Sequence, residues 1–224
     1  ELKKTVTWVK RERKSAALLF IDVDNFKKVN DLCGHQEGDR VLVMIAQRLK
    51  DKIRAADIIA RAGGDEFVVL LNGIGTPEKA AKIAEHMISA IAEPFPTEPI
   101  PSHVGLSIGI SMLPNDSDDP DSLLRWSEMS MYVAKSQGRN RYQFYSEEIN
   151  NRVHGDLRIE AELRKALKNQ EGGLWVAYQP QVCAKTRRLV GVEALARWQL
   201  PTGASLSPGE FIPVGEKSGL ISDL

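Results

Sequence analysis

The sequence predicts an α+β fold built on a β-α-β-β-α-β core, with a second, shorter segment after Glu148. Three observations lead there. The apolar run Ala16 to Val23 ends in carboxylates, the mark of a buried strand. Two short β-type runs, Ile58 to Arg61 and Phe67 to Leu71, flank Ala62-Gly63-Gly64-Asp65, a hairpin turn signal. Helical stretches separate these runs from two further strands. In that order the elements make a ferredoxin-like split βαβ, with one sheet face covered by helices.

Each element has a local reason. Glu1 to Lys14 carries Leu2, Val6 and Val9 at helical spacing. Phe26 to Leu32 reads as a short helix. Gly38-Asp39 opens a stronger one, with Leu42, Ile45, Leu49 and Ile53 on one face. Thr76 to Ala92 is helical, with Thr76 as N-cap and Pro77 at the first helical position. Val104 to Leu113 is strand-like, Asp121 to Gln137 is helical and stops at Gly138, and Tyr142 to Tyr145 is a last strand. Leu157 to Asn169 is an amphipathic helix, broken by Gly172 and Gly173. Leu174 to Tyr178 and Leu189 to Ala196 read as strands, and Pro201, Pro208 and Pro213 punctuate the remainder of the chain. The predicted division is 1–147 and 148–224.

The composition narrows the function. The chain has 224 residues, 42% hydrophobic and 27% charged, an ordinary globular balance. Lys and Arg number 30, as do Asp and Glu, so no polycationic surface argues for nucleic acid. The longest fully apolar run, Ala16 to Ile21, is too short to span a membrane, so no membrane contact is expected within this chain. Two cysteines, Cys33 and Cys183, fit a reducing compartment rather than a disulfide framework.

The chemistry points to carboxylates. Asp22 and Asp24 close a buried strand; Asp65 and Glu66 sit on a Gly-Gly hairpin. If that strand neighbours the hairpin, Asp22 and Asp65 converge at one sheet end. Grouped carboxylates repel unless a cation binds, and Mg²⁺ takes oxygen ligands while keeping positions for water and phosphate. Such a pair suits phosphoryl transfer between clamped oxygens. Gly63 and Gly64 let a nucleotide approach the backbone closely. A plainer reading stands beside it on spacing alone: Asp65 as a turn residue and Asp22 as a strand terminator.

Four ordered motifs then carry a resemblance. Arg61-Ala62-Gly63-Gly64-Asp65-Glu66-Phe67 is similar to the signature of the GGDEF family, the diguanylate cyclases. The stretch from Phe20 to Asp31 resembles that family's strand motif, Gly34-His35-Gln36-Glu37-Gly38-Asp39 its Gly-His-x-x-Gly-Asp element, and Met131 to Asn140 its closing motif. The resemblance covers Glu1 to Tyr145 and implies a nucleotidyl-cyclase palm. In that family two GTP condense across an antiparallel homodimer to cyclic di-GMP, releasing pyrophosphate twice. Carried over by position, Asp22, Asp65 and the Val23 carbonyl resemble the ligands of Mg²⁺ (or Mn²⁺). Asp65 or Glu66 would help deprotonate the 3′-hydroxyl. Asn30 and Asp39 resemble the guanine readers, since a carboxylate accepts from guanine N–H groups and an amide donates or accepts. Lys27, Lys135 and Arg139 resemble phosphate clamps. Simpler roles exist for each: helix caps for Asn30 and Asp39, helix C-terminal charge for Lys135 and Arg139, a solvated face for Lys27.

Arg54-Ala55-Ala56-Asp57 matches the family's inhibitory product site in position, which implies feedback by cyclic di-GMP; by itself it also reads as an intrahelical ion pair. Two departures stand out. The family's opening Asp-x-Leu-Thr-Gly-Leu-x-Asn-Arg stretch is expected upstream of Glu1. Ser127-Glu128-Met129-Ser130 replaces Ala-Asp-x-Ala, which lengthens a supporting carboxylate by one methylene.

The second segment has its own resemblance. Tyr178-Gln179-Pro180-Gln181, the run Gly191 to Trp198 and Glu210-Phe211-Ile212-Pro213 are similar to the opening of an EAL domain, a (β/α)₈-type cyclic di-GMP phosphodiesterase. Glu193 would match a metal ligand, Arg197 a phosphate contact and Gln179 a substrate-side residue; the plainer reading is ordinary strand residues. A barrel site needs many strand ends. The expectation is therefore an incomplete barrel opening without phosphodiesterase activity, in a piece of a longer protein. Two functions are expected: a cytoplasmic, Mg²⁺-dependent diguanylate cyclase, in a parent that is membrane-tethered or not, or a GTP- or cyclic di-GMP-binding regulatory module of an EAL enzyme.

Overall fold

The computed structural model describes residues 1–98, 101–168 and 172–224, apart from the side chains of 152 and 154. The chain divides into two compact units, Glu1–Asn150 and Asn151–Leu224.

The first unit runs α1 (Leu2–Glu12), β1 (Ala16–Asp24), α2 (Phe26–Cys33), α3 (His35–Lys50), β2 (Ile58–Gly63), β3 (Glu66–Asn72), α4 (Pro77–Ile91), β4 (Gly105–Leu113), α5 (Pro120–Ser136) and β5 (Arg141–Phe144). The sheet order is β2-β3-β1-β4-β5. Neighbours among the first four are antiparallel, and β5 joins parallel to β4. This is the split βαβ order, with β1 in the middle.

The expectation of one helix-covered face is corrected: helices cover both. All nine residues of β1 are buried. Its run lacks polar alternation, so each face needs an apolar partner. Ala17, Leu19, Ile21 and Val23 pack with Leu106, Ile108 and Ile110 against Ile45 and Leu49 of α3 and Ala84 and Met87 of α4. Ala16, Leu18, Leu70 and Leu113 pack with Val6 and Val9 of α1 and Leu123 of α5. Helix α5 lies so close to β4 that a Cβ on Gly109 would stand 1.8 Å from the Ser127 carbonyl oxygen.

Local details also shift. Helix α3 begins at His35, ahead of Gly38, and ends at Lys50, which leaves Ile53 in the following turn. Gly63 belongs to β2, with a register shift between Arg61 and Gly63, so the turn itself is Gly64-Asp65. Thr76 precedes α4 without a side-chain cap bond. Helix α5 starts earlier than expected, because the Asp119 side chain accepts from the Ser122 N–H at 2.8 Å.

In the second part of the chain α6 (Glu147–Lys168) starts well before Leu157; the expected end at Asn169 lies outside the described residues. Strands β6 (Leu174–Val182), β7 (Leu189–Gln199) and β8 (Ser205–Leu206) precede α7 (Pro208–Ser218) and a 3-10 turn, Leu220–Asp223. Pro213 sits inside α7 without ending it. Where a barrel opening is expected, the three strands form an antiparallel sheet in order β6-β7-β8. The connection after Val182 is too short for the crossover that parallel strands need. Leu163, Trp198, Phe211 and Leu220 make this unit's core, with the Trp198 and Phe211 rings edge to face at 5.5 Å.

Candidate active site

The end of β1 gathers charge. Asp22 and Asp24 point to the face that α5 covers and are 5% and 3% exposed. Asp22 stands opposite Glu66 on β3 and Ser107 on β4. The Val23 N–H donates to the Asp65 carbonyl at 3.2 Å, which ties the hairpin turn to the end of β1. Arg61 braces that turn by donating through Nε and Nη2 to the Gly64 carbonyl at 2.9 and 2.6 Å. From α5, Lys135 Nζ lies 2.6 Å from Asp22 Oδ2. Glu128, two turns earlier on the same helix face, adds its charge beside Glu66.

The electrostatics reflect this crowding. Burial pushes the Asp22 carboxyl above its ordinary range; the hydrogen bond and charge of Lys135 pull it back, and Asp65 and Asp24 push it up again. Glu66 is also raised, first by burial, then by Asp22, Glu128 and Asp65. The expected meeting of Asp22 with Asp65 is thus present in the fold, with Glu66, Glu128 and Lys135 beside it.

Asp24 was not among the expected site residues. Its oxygens accept from Ser107 Oγ at 2.7 Å and from the Asn140 N–H at 2.9 Å. Arg139 and Asn140 have φ of 62° and 47°, a left-handed turn that Asp24 holds against the sheet. A Cβ on Gly105 would crowd Asp24 Oδ2 and Asn140 Oδ1 at 3.0 Å each, so that glycine leaves room for the strut. Position alone does not separate Asp24 from Asp22; the two neighbours that claim its oxygens do.

The other expected residues spread around this centre. Lys27, Asp39 and Arg139 are exposed and Asn30 is half-buried. Among the described residues Lys27 and Arg139 form no ion pair. Asn30 and Asp39 occupy the α2–α3 corner that comes directly after β1, and neither side chain caps a helix. Gly63 and Gly64 are exposed, with nothing within 3.8 Å of a Cβ at either position. Ser127 and Ser130, where alanines were expected, are buried and donate back to the Leu124 and Trp126 carbonyls at 2.8 Å each.

Arg54 and Asp57 lie at the opposite end of the sheet, beside Asn72, which pairs with Ala16. They lie in a turn, not a helix, so the intrahelical ion pair is corrected. Asp57 Oδ1 accepts from the Asn72 N–H and Oδ2 from the Arg54 N–H, both at 2.9 Å. The Arg54 guanidinium is left exposed. In the second unit Gln179 pairs with Glu193 across β6 and β7. Arg197, four residues along β7, shares their face.

Can this end hold a divalent cation? Its donors are hard oxygens in a crowded acidic group with Asp22 buried and Asp65 and Glu66 half-buried, and the Lys135 ammonium already answers that charge from one side. Among the described residues no three or more His, Cys, Asp or Glu side chains form a cage of their own. That donor set fits an ion such as Mg²⁺, which completes its shell with water and phosphate.

The fold and site together define an α+β split-βαβ domain whose central strand, Gly-Gly turn and last long helix enclose a lysine-bridged acidic sheet end. The family model "Diguanylate cyclase, GGDEF domain" matches residues 1–141, and the EAL domain model matches residues 160–224. The chain belongs to the GGDEF family, the diguanylate cyclase class of cyclic di-GMP signalling, with part of an EAL domain following. It is 40% identical over 211 residues to the bifunctional diguanylate cyclase/cyclic di-GMP phosphodiesterase MucR of Pseudomonas aeruginosa, which covers 94% of this chain but 30% of MucR. The chain spans about a third or less of the length of the curated relatives it matches. Among solved structures, the GGDEF domain of YfiN (TpbB) from P. aeruginosa superposes with a TM-score of 0.63 at 38% identity, over 65% of this chain and 91% of that one. The active GGEEF domain of a diguanylate cyclase from Vibrio cholerae gives 0.60 at 33% identity, over 65% and 92%.

Proposed function

We propose that the first unit is a diguanylate cyclase that joins two GTP into cyclic di-GMP with release of two pyrophosphates. The observation that carries this reading is the acidic end itself: Asp22 buried under Lys135, with the Asp65 turn tied to Val23. Each chain of a homodimer holds one GTP. Asn30 and Asp39 read guanine, while Lys27, Lys135 and Arg139 hold the phosphates against the bare Gly63-Gly64 turn. Asp22, Asp65 and the Val23 carbonyl would hold Mg²⁺ or Mn²⁺, which when bound would polarise the α-phosphate and acidify the 3′-hydroxyl. Asp65 or Glu66 accepts the 3′-proton. The 3′-oxygen of one nucleotide forms a bond to the α-phosphorus of the other, and the bond to pyrophosphate breaks. Lys135 and Arg139 offset the charge that grows on the leaving group. Lys135 therefore has two partners, Asp22 before the nucleotide arrives and phosphate afterwards.

Cyclic di-GMP returns to Arg54, whose exposed guanidinium, without an ion pair among the described residues, suits a phosphate or a guanine edge. A cytoplasmic setting belongs to the same reading, supported by GTP as the substrate and by the unpaired thiols of Cys33 and Cys183. The test is cyclic di-GMP and pyrophosphate formation from GTP with Mg²⁺. Asp65→Ala is expected to lower turnover on the order of a thousandfold or more with the melting temperature kept; surviving activity overturns the metal assignment.

A second reading has its own support, in the EAL-type segment after the first unit. There the first unit binds GTP or cyclic di-GMP and regulates a hydrolase, to whose site Gln179, Glu193 and Arg197 contribute one face. GTP binding without turnover selects this reading over the first.

A further inference from the structure

Gly38 is the residue that stands out beside the acidic end. It is buried in the first turn of α3, where glycine is the poorest helix former after proline. Its φ is not among the positive ones, so alanine adopts the same backbone. What forbids a side chain is space. A Cβ at this position would stand 1.9 Å from Asn30 Oδ1, 3.1 Å from Asn30 Cγ and 3.2 Å from Phe26 Cζ. The nearest obstacle is thus the tip of one polar side chain, not backbone.

That tip does no structural work inside the protein. The Asn30 backbone carbonyl accepts from the Gly34 N–H at 2.9 Å and so closes α2 onto α3. The Asn30 carboxamide itself makes no hydrogen bond among the described residues, and it is half-buried. A half-buried amide that no neighbour among the described residues claims is open to an external partner. Phe26, 8% exposed, fixes the other side of the same turn.

We propose that Gly38 is a positioning residue for base recognition: its missing side chain lets the Asn30 carboxamide lie across the first turn of α3, beside Asp39, in the pose that meets guanine. The inference rests on the reading of Asn30 as a guanine contact and adds the residue that sets its pose. A methyl group at 38 displaces the carboxamide oxygen by about 1 Å or more, since real Cβ contacts stay beyond 3.0 Å. A shift of that size breaks a directed hydrogen bond while leaving the phosphate-binding groups in place.

The experiment titrates the chain with GDP and with ADP, which bind without a triphosphate to react, and follows thermal unfolding of each variant. Gly38→Ala is expected to weaken GDP about tenfold, the worth of one good hydrogen bond, and to leave ADP unchanged. Asn30→Ala is expected to do the same. The double variant is expected to be no weaker than Asn30→Ala alone, because the displaced group is already gone. GDP binding by Gly38→Ala at the parent's affinity overturns the proposal, as does an equal loss for ADP or an additive loss in the double variant. If Asn30→Ala binds GDP as the parent does, the guanine reading itself fails, a result separate from the others. Should Gly38→Ala not fold, a folded double variant supports the contact and an unfolded one overturns it.

Discussion

Asp57 ties a turn to the sheet with both of its oxygens. Both of its oxygens already accept backbone N–H groups, from Asn72 and Arg54. Asn72 in turn donates to the Ala56 carbonyl at 2.6 Å and accepts from Thr5 Oγ1 at 3.0 Å. Asp57→Ala is therefore expected to cost about 1–3 kcal/mol in chemical denaturation, as well as altering product inhibition. Arg54→Ala is expected to relieve inhibition with stability unchanged; an unaltered inhibition curve removes that site. Asp116 offers a pH test away from the acidic end. Burial raises its carboxyl above the usual range, although it accepts from the Met112 N–H at 2.7 Å. A raised folded pKa means the charged form is penalised in the fold, so the penalty exists above that pKa and vanishes below the unfolded value. Asp116→Asn keeps the acceptor and drops the charge. It is expected to melt higher than the parent at neutral pH, with the gap closing as pH falls through the carboxylate range. The motifs single out Asp22, Asp65 and Lys135 one by one, and the fold brings these residues to one sheet end. What Asp57 and Asp24 do with their oxygens was not, because both bind backbone or neighbours far away in sequence.

At the scale of elements, α5 matters most. It covers the sheet face that carries Asp22 and brings Glu128 and Lys135 to it. Its approach depends on Gly109 in β4, where a Cβ would also meet the Met131 nitrogen at 2.2 Å. Both obstacles are backbone, so nothing flexible can yield. Gly109→Ala is expected to destabilise the first unit by about 3 kcal/mol or more, read by urea denaturation, and to cut GTP turnover by moving Lys135 off the site. A stable, active variant would show that α5 tolerates lifting. The C-terminal side of the unit is tied to the same helix, where the Trp126 and Tyr145 rings stack at 4.3 Å. Hydrophobic spacing made α5 legible as a helix, yet spacing assigned it no face of the sheet. Two buried serines in place of alanines concealed how closely it packs.

At the scale of the whole chain there are two units with unequal cores. The first has apolar layers on both sheet faces. The second rests on Leu163, Trp198, Phe211 and Leu220, while Trp175, Tyr178, Leu189 and Val190 stay exposed on its hairpin. Thermal unfolding is expected to show two transitions, the second unit first, followed through Trp198 after replacement of the other tryptophans. Mg²⁺ with GDP is expected to raise only the first unit's transition, by about 2.7 kcal/mol at a hundredfold excess over Kd. Asp22→Asn is expected to abolish that rise; a shift in both transitions, or one that survives Asp22→Asn, counts against the cation assignment. Among the described residues no helix is long and apolar enough to cross a membrane.

Local pattern by itself determined the helices, the strands, the Gly-Gly turn and the list of charged residues, because periodicity, turn chemistry and motif spacing are written in neighbouring letters. It led to the strand sequence of the first unit and to an α+β class, and left the short β8 unforeseen. Tertiary structure alone decided three things. It placed a second helical layer over β1, since a strand apolar on both sides must be covered twice. It paired β6 and β7 as an antiparallel hairpin, since the link between them is too short to cross over. And it set Lys135 on Asp22, a contact between residues more than a hundred positions apart that only the packing of α5 on the sheet brings within hydrogen-bond reach.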